Sequence, residues 1–263
     1  MQHVTKNHWY IFFQLIKAEL KAYKPMALSE TIDLLVWVAV LTVINGLVLP
    51  ALHVPREFLL ISFSGTVASA VSFKSYPNIA NLVADVHGDQ TIKQRLILPI
   101  PPWMGFFAMV VSTFLITLWT ALWAFPLGLP FMWQLMDFSG ISLWRFLVIM
   151  LASAWFFSAL PLLMTSFIPS PRLVGRVWLR FLFPLWFFGG FSFTWEKFYE
   201  AIPWLAIIDL MNPYLYMMEG ARVALLGPPG NLPFWLDVSM LLVLSIICFV
   251  FGVKRLRKQI DAV

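Results

Sequence analysis

A chain of 263 residues that is 60% hydrophobic, 17% aromatic and only 12% charged cannot hide its apolar surface as a soluble domain, where about a quarter of residues carry charge. The net charge of +5 does not by itself indicate nucleic acid, and a lone Cys248 excludes an intrachain disulfide framework. No charge falls between Arg95 and Asp137 or between Arg145 and Arg172; apolar runs of at least ~18 residues without alternation read as helical bilayer spans, not as barrel strands.

In chain order, residues 9–24 place Trp9, Phe12, Phe13, Ile16, Leu20 and Tyr23 on one helical face and Gln14, Lys17, Lys21 and Lys24 on the other. This predicts an amphipathic interfacial helix over about 7–24, ended by Pro25, with lysines toward lipid headgroups; a surface helix packed on a soluble cap is the alternative. The segment lacks the apolar stretch of a signal peptide. Spans are expected at about 31–50, 56–80, 103–125, 143–165, 177–195 and 234–253. The second carries Ser62, Gly65, Thr66 and Ser69, a small and hydroxyl-rich set that suits close helix packing or a pathway. The third would be closed by Pro126 and Pro130, and the fourth would end before Pro169 and Pro171.

Charge orients the set. With the N-terminus inside, the outer segments hold only Arg56, Arg145, Lys197 and Arg222, while the other basic residues, Lys254-Arg255-Leu-Arg257-Lys258 among them, fall inside. The positive-inside rule then gives six spans with both termini cytoplasmic. Between Trp195 and Asp237 two apolar pieces are each too short to cross and are broken by Pro203, Asp209, Asn212 and Pro213. A re-entrant outer hairpin over about 198–227 fits them, provided protein or water satisfies the broken backbone; an exposed loop is the alternative. No repeat or linker divides the chain, so 1–263 reads as one domain.

With these elements in place, Asn212-Pro-Tyr-Leu-Tyr-Met-Met-Glu-Gly-Ala-Arg-Val-Ala-Leu-Leu-Gly227 is similar to the Asn-Pro, aromatic, Glu-x-x-Arg, Leu-Leu-Gly signature of type-2 ABC exporter permeases. The polar island Ala84-Asp-Val-His-Gly-Asp89, followed by Pro101-Pro-Trp103, resembles that family's acidic-Gly helix and its Pro-x-Trp entry to the third span. Where the family has a Glu-Arg-Glu-x-Gly run this chain has no arginine, and its N-terminal segment lacks the Arg-Tyr-Lys run expected of polysaccharide exporters. The resemblance implies that about 83–95 is a coupling helix. Asp85, His87, Asp89, Gln90, Lys93 and Arg95 would contact a separate ATPase; a solvated loop is the alternative. It also marks Asn212, Pro213, Glu219, Arg222 and Gly227 as motif residues near the outer hairpin.

The chain carries no chemistry of its own. The only Lys-Ser/Thr pair, Lys74-Ser75, follows Phe73, so there is no phosphate-binding loop. His3, His8, His53 and His87 lack metal-ligand spacing, and no nucleophile elbow is present. Glu219 and Arg222, three apart, are expected to pair locally rather than touch substrate. The resemblance implies a permease that moves an amphipathic or hydrophobic substrate (drug, lipid or lipid-linked saccharide) outward across a bacterial inner membrane. Two copies of it would work with two ATPase subunits that bind ATP and Mg, with membrane lipid around them and no nucleic acid. Alternatives are an ion-coupled secondary carrier, for which Asp33, Lys74 and Arg145 lie too near span ends, and a membrane scaffold.

Overall fold

Where lipid replaces water, backbone N–H and C=O groups must pair within their own segment, so long apolar runs close into helices. A computed structural model describes residues 2–261 apart from 89, 137–139 and 228–231, and only the backbone of 2–7 and 260–261. Every regular element among the described residues is helical. Among the described residues, four helical stretches are long and apolar enough to cross a membrane: His8–Ala51, Pro102–Met132, Leu143–Thr165 and Phe234–Gln259. A fifth follows if Arg56–Ser69 and Ser72–His87, bent by 45° at a short break, count as one span.

The first stretch is α1 (Gln2–Val43), a π-helical turn (Ile44–Val48) and α2 (Leu49–Ala51). The interfacial helix is thus not ended by Pro25, which lies inside α1. Pro25 is exposed, so the Lys21 carbonyl that it leaves unpaired can be solvated. The amphipathic face is narrower than its pattern suggests. Phe12 and Ile16 are buried against Ile100, Met104 and Ala108, whereas Trp9, Tyr10 and Phe13 are exposed.

Then come α3 (Arg56–Ser69), a 3₁₀ turn (Ser72–Lys74), α4 (Ser75–His87) and α5 (Thr91–Leu96). The expected single helix over 83–95 is therefore two pieces meeting at a turn. α6 (Pro102–Leu122) passes almost directly into α7 (Ala124–Met132), so neither Pro126 nor Pro130 closes it. Pro126 falls near the start of α7, where a missing N–H costs least.

The hub is α8 (Leu143–Thr165), the most buried of the apolar stretches. Its Ala152, Ser153, Ala154, Ser158 and Ala159 are small enough to let neighbours approach, as helix association in lipid requires. On it pack α14 (Phe234–Asp261), α13 (Pro213–Leu226), α6 and α4. Gly252 of α14 lies so close that a Cβ there would sit 2.8 Å from the Leu163 nitrogen. α1 packs against α6 and α7.

The stretch expected to span over 177–195 is not among the helices long and apolar enough to cross a membrane. α9 (Pro171–Val177), a π turn (Trp178–Leu182) and α10 (Phe183–Phe188) form one run that ends at Gly189-Gly190. Gly190 has φ +86°, and a Cβ on Gly189 would meet the Tyr214 Cβ at 2.6 Å. That turn needs both glycines. α11 (Trp195–Ala201) and α12 (Pro203–Asp209) lead into α13, whose residues Tyr214–Leu225 are all buried. The motif helix is core, neither an exposed loop nor a surface strap.

Candidate functional site

Two polar constructions stand out in this apolar molecule. The first is the island between α4 and α6. α4 stops because Gly88 ends the turn and Gln90 takes a left-handed conformation (φ +52°). Asp85 bridges the break: Oδ1 accepts from the Thr91 N–H at 2.9 Å and from the Thr91 hydroxyl, and Oδ2 accepts from the Ile92 N–H at 2.9 Å. One carboxylate thus satisfies two of the orphan donors at the start of α5. Ile92 is buried in the main core, so α5 is pinned by its cap and by one apolar anchor.

Arg95, at the other end of α5, pairs with Glu19 of α1. The second oxygen of Glu19 accepts from the Ser112 hydroxyl of α6. Burial pushes the Arg95 pKa below its ordinary value, and the guanidinium keeps a carboxylate beside it. α5 is therefore tied to α1 and α6 through one three-residue chain. A cavity of about 590 Å³ opens beside it, lined by Asn78, Asn81, Asp85, Glu19, Arg95 and Ser158 among others. His87 bonds back to the Val83 carbonyl at 2.8 Å, and Lys93 is half-buried. Asp89 lies outside the described residues. Of the six residues expected to face a partner, Asp85, His87 and Arg95 have side chains engaged within the chain. Sequence reasoning missed Glu19 and Ser112; the one signal was a single carboxylate in an otherwise lysine-rich helix.

The second construction is built on α13. Asn212 caps it, its Oδ1 accepting from the Tyr214 N–H at 3.1 Å, while its Nδ2 donates to the Leu185 carbonyl at 2.6 Å and to Asp209 at 2.9 Å. Pro213 occupies the first turn, where its fixed φ suits a helix start. Glu219 and Arg222 are fully buried and joined at 2.6 Å. Arg222 also donates to the Gly190 carbonyl, and Glu219 accepts from the Trp195 N–H at 3.0 Å and the Leu232 N–H at 3.4 Å. Gly227 has φ +84° at the end of α13. The pair thus staples the turn after α10, the start of α11 and the approach to α14 onto one helix. The carboxylate of Asp237, buried in the first turn of α14, has no hydrogen-bond partner among the described residues. Burial pushes Asp209 up to about 6; its bond from Asn212 opposes that shift and the Glu219 charge adds to it.

The hydroxyl-rich set in α3 lies in the core. Ser69 and Thr66 bond back to the carbonyls of Gly65 and Ser62, and Ser69 also accepts from the Trp186 indole at 2.6 Å. A Cβ on Gly65 would sit 2.5 Å from the Phe191 carbonyl oxygen. These residues let α3 and the segment after α10 touch.

No curated protein is similar enough to match this chain. Residues 10–226 match the family model described as ABC-2 type transporter, which takes in the island, the capped α5 and the whole of α13. A match of that extent shows the family: the chain is an integral membrane protein of the ABC-2 type transporter family, the permease component and not itself the ATPase.

Proposed function

We propose that this chain is the membrane half of an ATP-driven exporter, moving an amphipathic or hydrophobic substrate outward by alternating access. Two copies meet about a two-fold axis and engage two ATPase subunits, which bind ATP and Mg. The membrane is a bacterial inner membrane, crossed six times with both termini cytoplasmic. The bent α3–α4 pair supplies the second span, the α9–α10 run the fifth, and α11–α12 the re-entrant hairpin.

The observation that carries this reading is the linkage at α5. A short helix is capped from one side by Asp85 and tied on the other by Arg95 to Glu19 and Ser112. A push on α5 from an ATPase groove therefore reaches α1 and α6 through charged bonds instead of dissipating in a loop. Lys93 and Gln90 remain on the half-exposed surface to meet that groove.

The test is co-purification of an ATPase with the permease and measurement of substrate-stimulated hydrolysis. Lys93→Glu is expected to keep membrane insertion and lose the stimulation. Full stimulation in that variant, or no ATPase on the purified permease, overturns the reading. An ion-coupled carrier has one observation in its favour, since Lys74 and Glu30 pair inside an apolar helix set; transport driven by an ion gradient without ATP would select it.

A further inference from the structure

Away from α5, a second pocket of about 250 Å³ lies between α1 and the bend joining α3 to α4. Its charges do not cancel. Lys74 pairs with Glu30 and sits over the Tyr23 ring, 4.8 Å from its centroid. Asp33, one turn beyond Glu30, lines the same pocket and has no ion-pair partner among the described residues. The site therefore holds two carboxylates against one ammonium. Leu34, Ala70, Phe73 and Pro77 supply an apolar wall, and Phe73 packs on Trp37 at 4.2 Å between ring centroids.

We infer that this pocket binds the cationic end of an amphipathic amine, with Asp33 as its counter-charge and the Phe73 wall against its apolar part. An anion would face two carboxylates, and the one ammonium that could attract it is already neutralised by Glu30. A neutral apolar ligand would leave Asp33 desolvated and unpaired, which is costly. A quaternary ammonium gains both the ion pair and contact with aromatic faces. The volume suits a headgroup with a short apolar segment, the rest of a longer molecule extending outside. This inference rests on the exporter reading, because it names the class of cargo that reading leaves open.

Binding and transport are tested separately so that one can fail without the other. The permease alone, in zwitterionic nanodiscs, is titrated calorimetrically with benzyltrimethylammonium, with its neutral isostere neopentylbenzene, and with benzenesulfonate. Saturable binding of the cation only is expected, weakened about tenfold or more in Asp33→Asn and retained in Asp33→Glu. Equal cation affinity in Asp33→Asn, or preferential binding of the sulfonate, overturns the site. Asp33 is exposed, so the variant is expected to keep the wild-type elution profile; if it does not, Phe73→Ala is titrated instead, and unchanged affinity there sinks the proposal equally. Stimulation of a co-purified ATPase by the same cation is the independent arm. Binding without stimulation keeps the site and counts against export of amines. Stimulation without Asp33-dependent binding keeps the exporter and removes this pocket.

Discussion

Arg222 is the residue whose environment departs furthest from its chemistry: a guanidinium with 1% exposure inside a chain that already lacks water. Removing one member of a buried pair strands the other charge, which costs about 3–5 kcal/mol. Arg222→Met is therefore expected to lower the unfolding temperature in detergent sharply. Pairing it with Glu219→Leu restores part of the loss, not all of it, since the Trp195 and Leu232 amides still lose their acceptor. Gly65→Ala is a second steric test, because the new methyl would press on the Phe191 backbone; a loss of about 1–3 kcal/mol follows from overpacking. Asp209 gives a test in pH. Its pKa is raised to about 6 in the folded chain against 3.8 ordinarily, so the native state binds the proton more tightly. Its stabilising contribution is fully present below about 4 and is lost as pH rises through 6. The wild type is expected to gain on the order of 2–3 kcal/mol relative to Asp209→Asn between pH 7 and 4. Melting curves of the two proteins that run parallel across that range would refute the assignment.

At the scale of elements, the cap on α5 is the sharpest claim. Replacing Asp85 by Ala removes the acceptor for two amides, a change worth about 0.5–2 kcal/mol at a helix start. Hydrogen exchange at Thr91 and Ile92 is expected to accelerate while α8 and α13 stay protected; uniform acceleration would mean that Asp85 supports the whole fold. The same elements show what was readable in the residues. Long apolar runs gave α1, α6, α8 and α14, because a bilayer leaves such runs no alternative to helix. Prolines misled. Pro25, Pro126 and Pro130 stop a pattern on paper, yet Pro25 and Pro130 are carried inside a helix and Pro126 sits in the first turn of α7, where its missing N–H costs little. The island read as one helix because Gly88 and Gln90 do not interrupt its polarity; only the left-handed φ at Gln90 does. The Glu219–Arg222 pair was legible from its spacing, whereas Glu19 and Ser112 reach their neighbours, and Asp237 is buried, only through tertiary packing, which no periodicity encodes.

For the whole molecule, the coupling reading makes α5 the place where an outside force enters, and the Arg95–Glu19 pair the route it takes into α1. The pair lies between elements separated by some seventy-six residues of chain, so its charge order can be reversed without changing either helix. Arg95→Glu alone sets two carboxylates against each other beside Ser112 and is expected to release α5 from α1. Insertion into the membrane should persist, since α8 and its partners do not depend on the pair. ATPase co-purification should persist if Lys93 and Gln90 make the contact, but stimulation of hydrolysis by substrate should be lost. The reversed pair, Glu19→Arg with Arg95→Glu, rebuilds the bond with opposite polarity and is expected to recover stimulation only partly, because the Ser112 hydroxyl loses the carboxylate to which it donates. Recovery in the double variant identifies a mechanical link. Failure of the double variant, with intact insertion and intact ATPase binding, would mean that Arg95 meets the ATPase directly and that force enters α1 by another path.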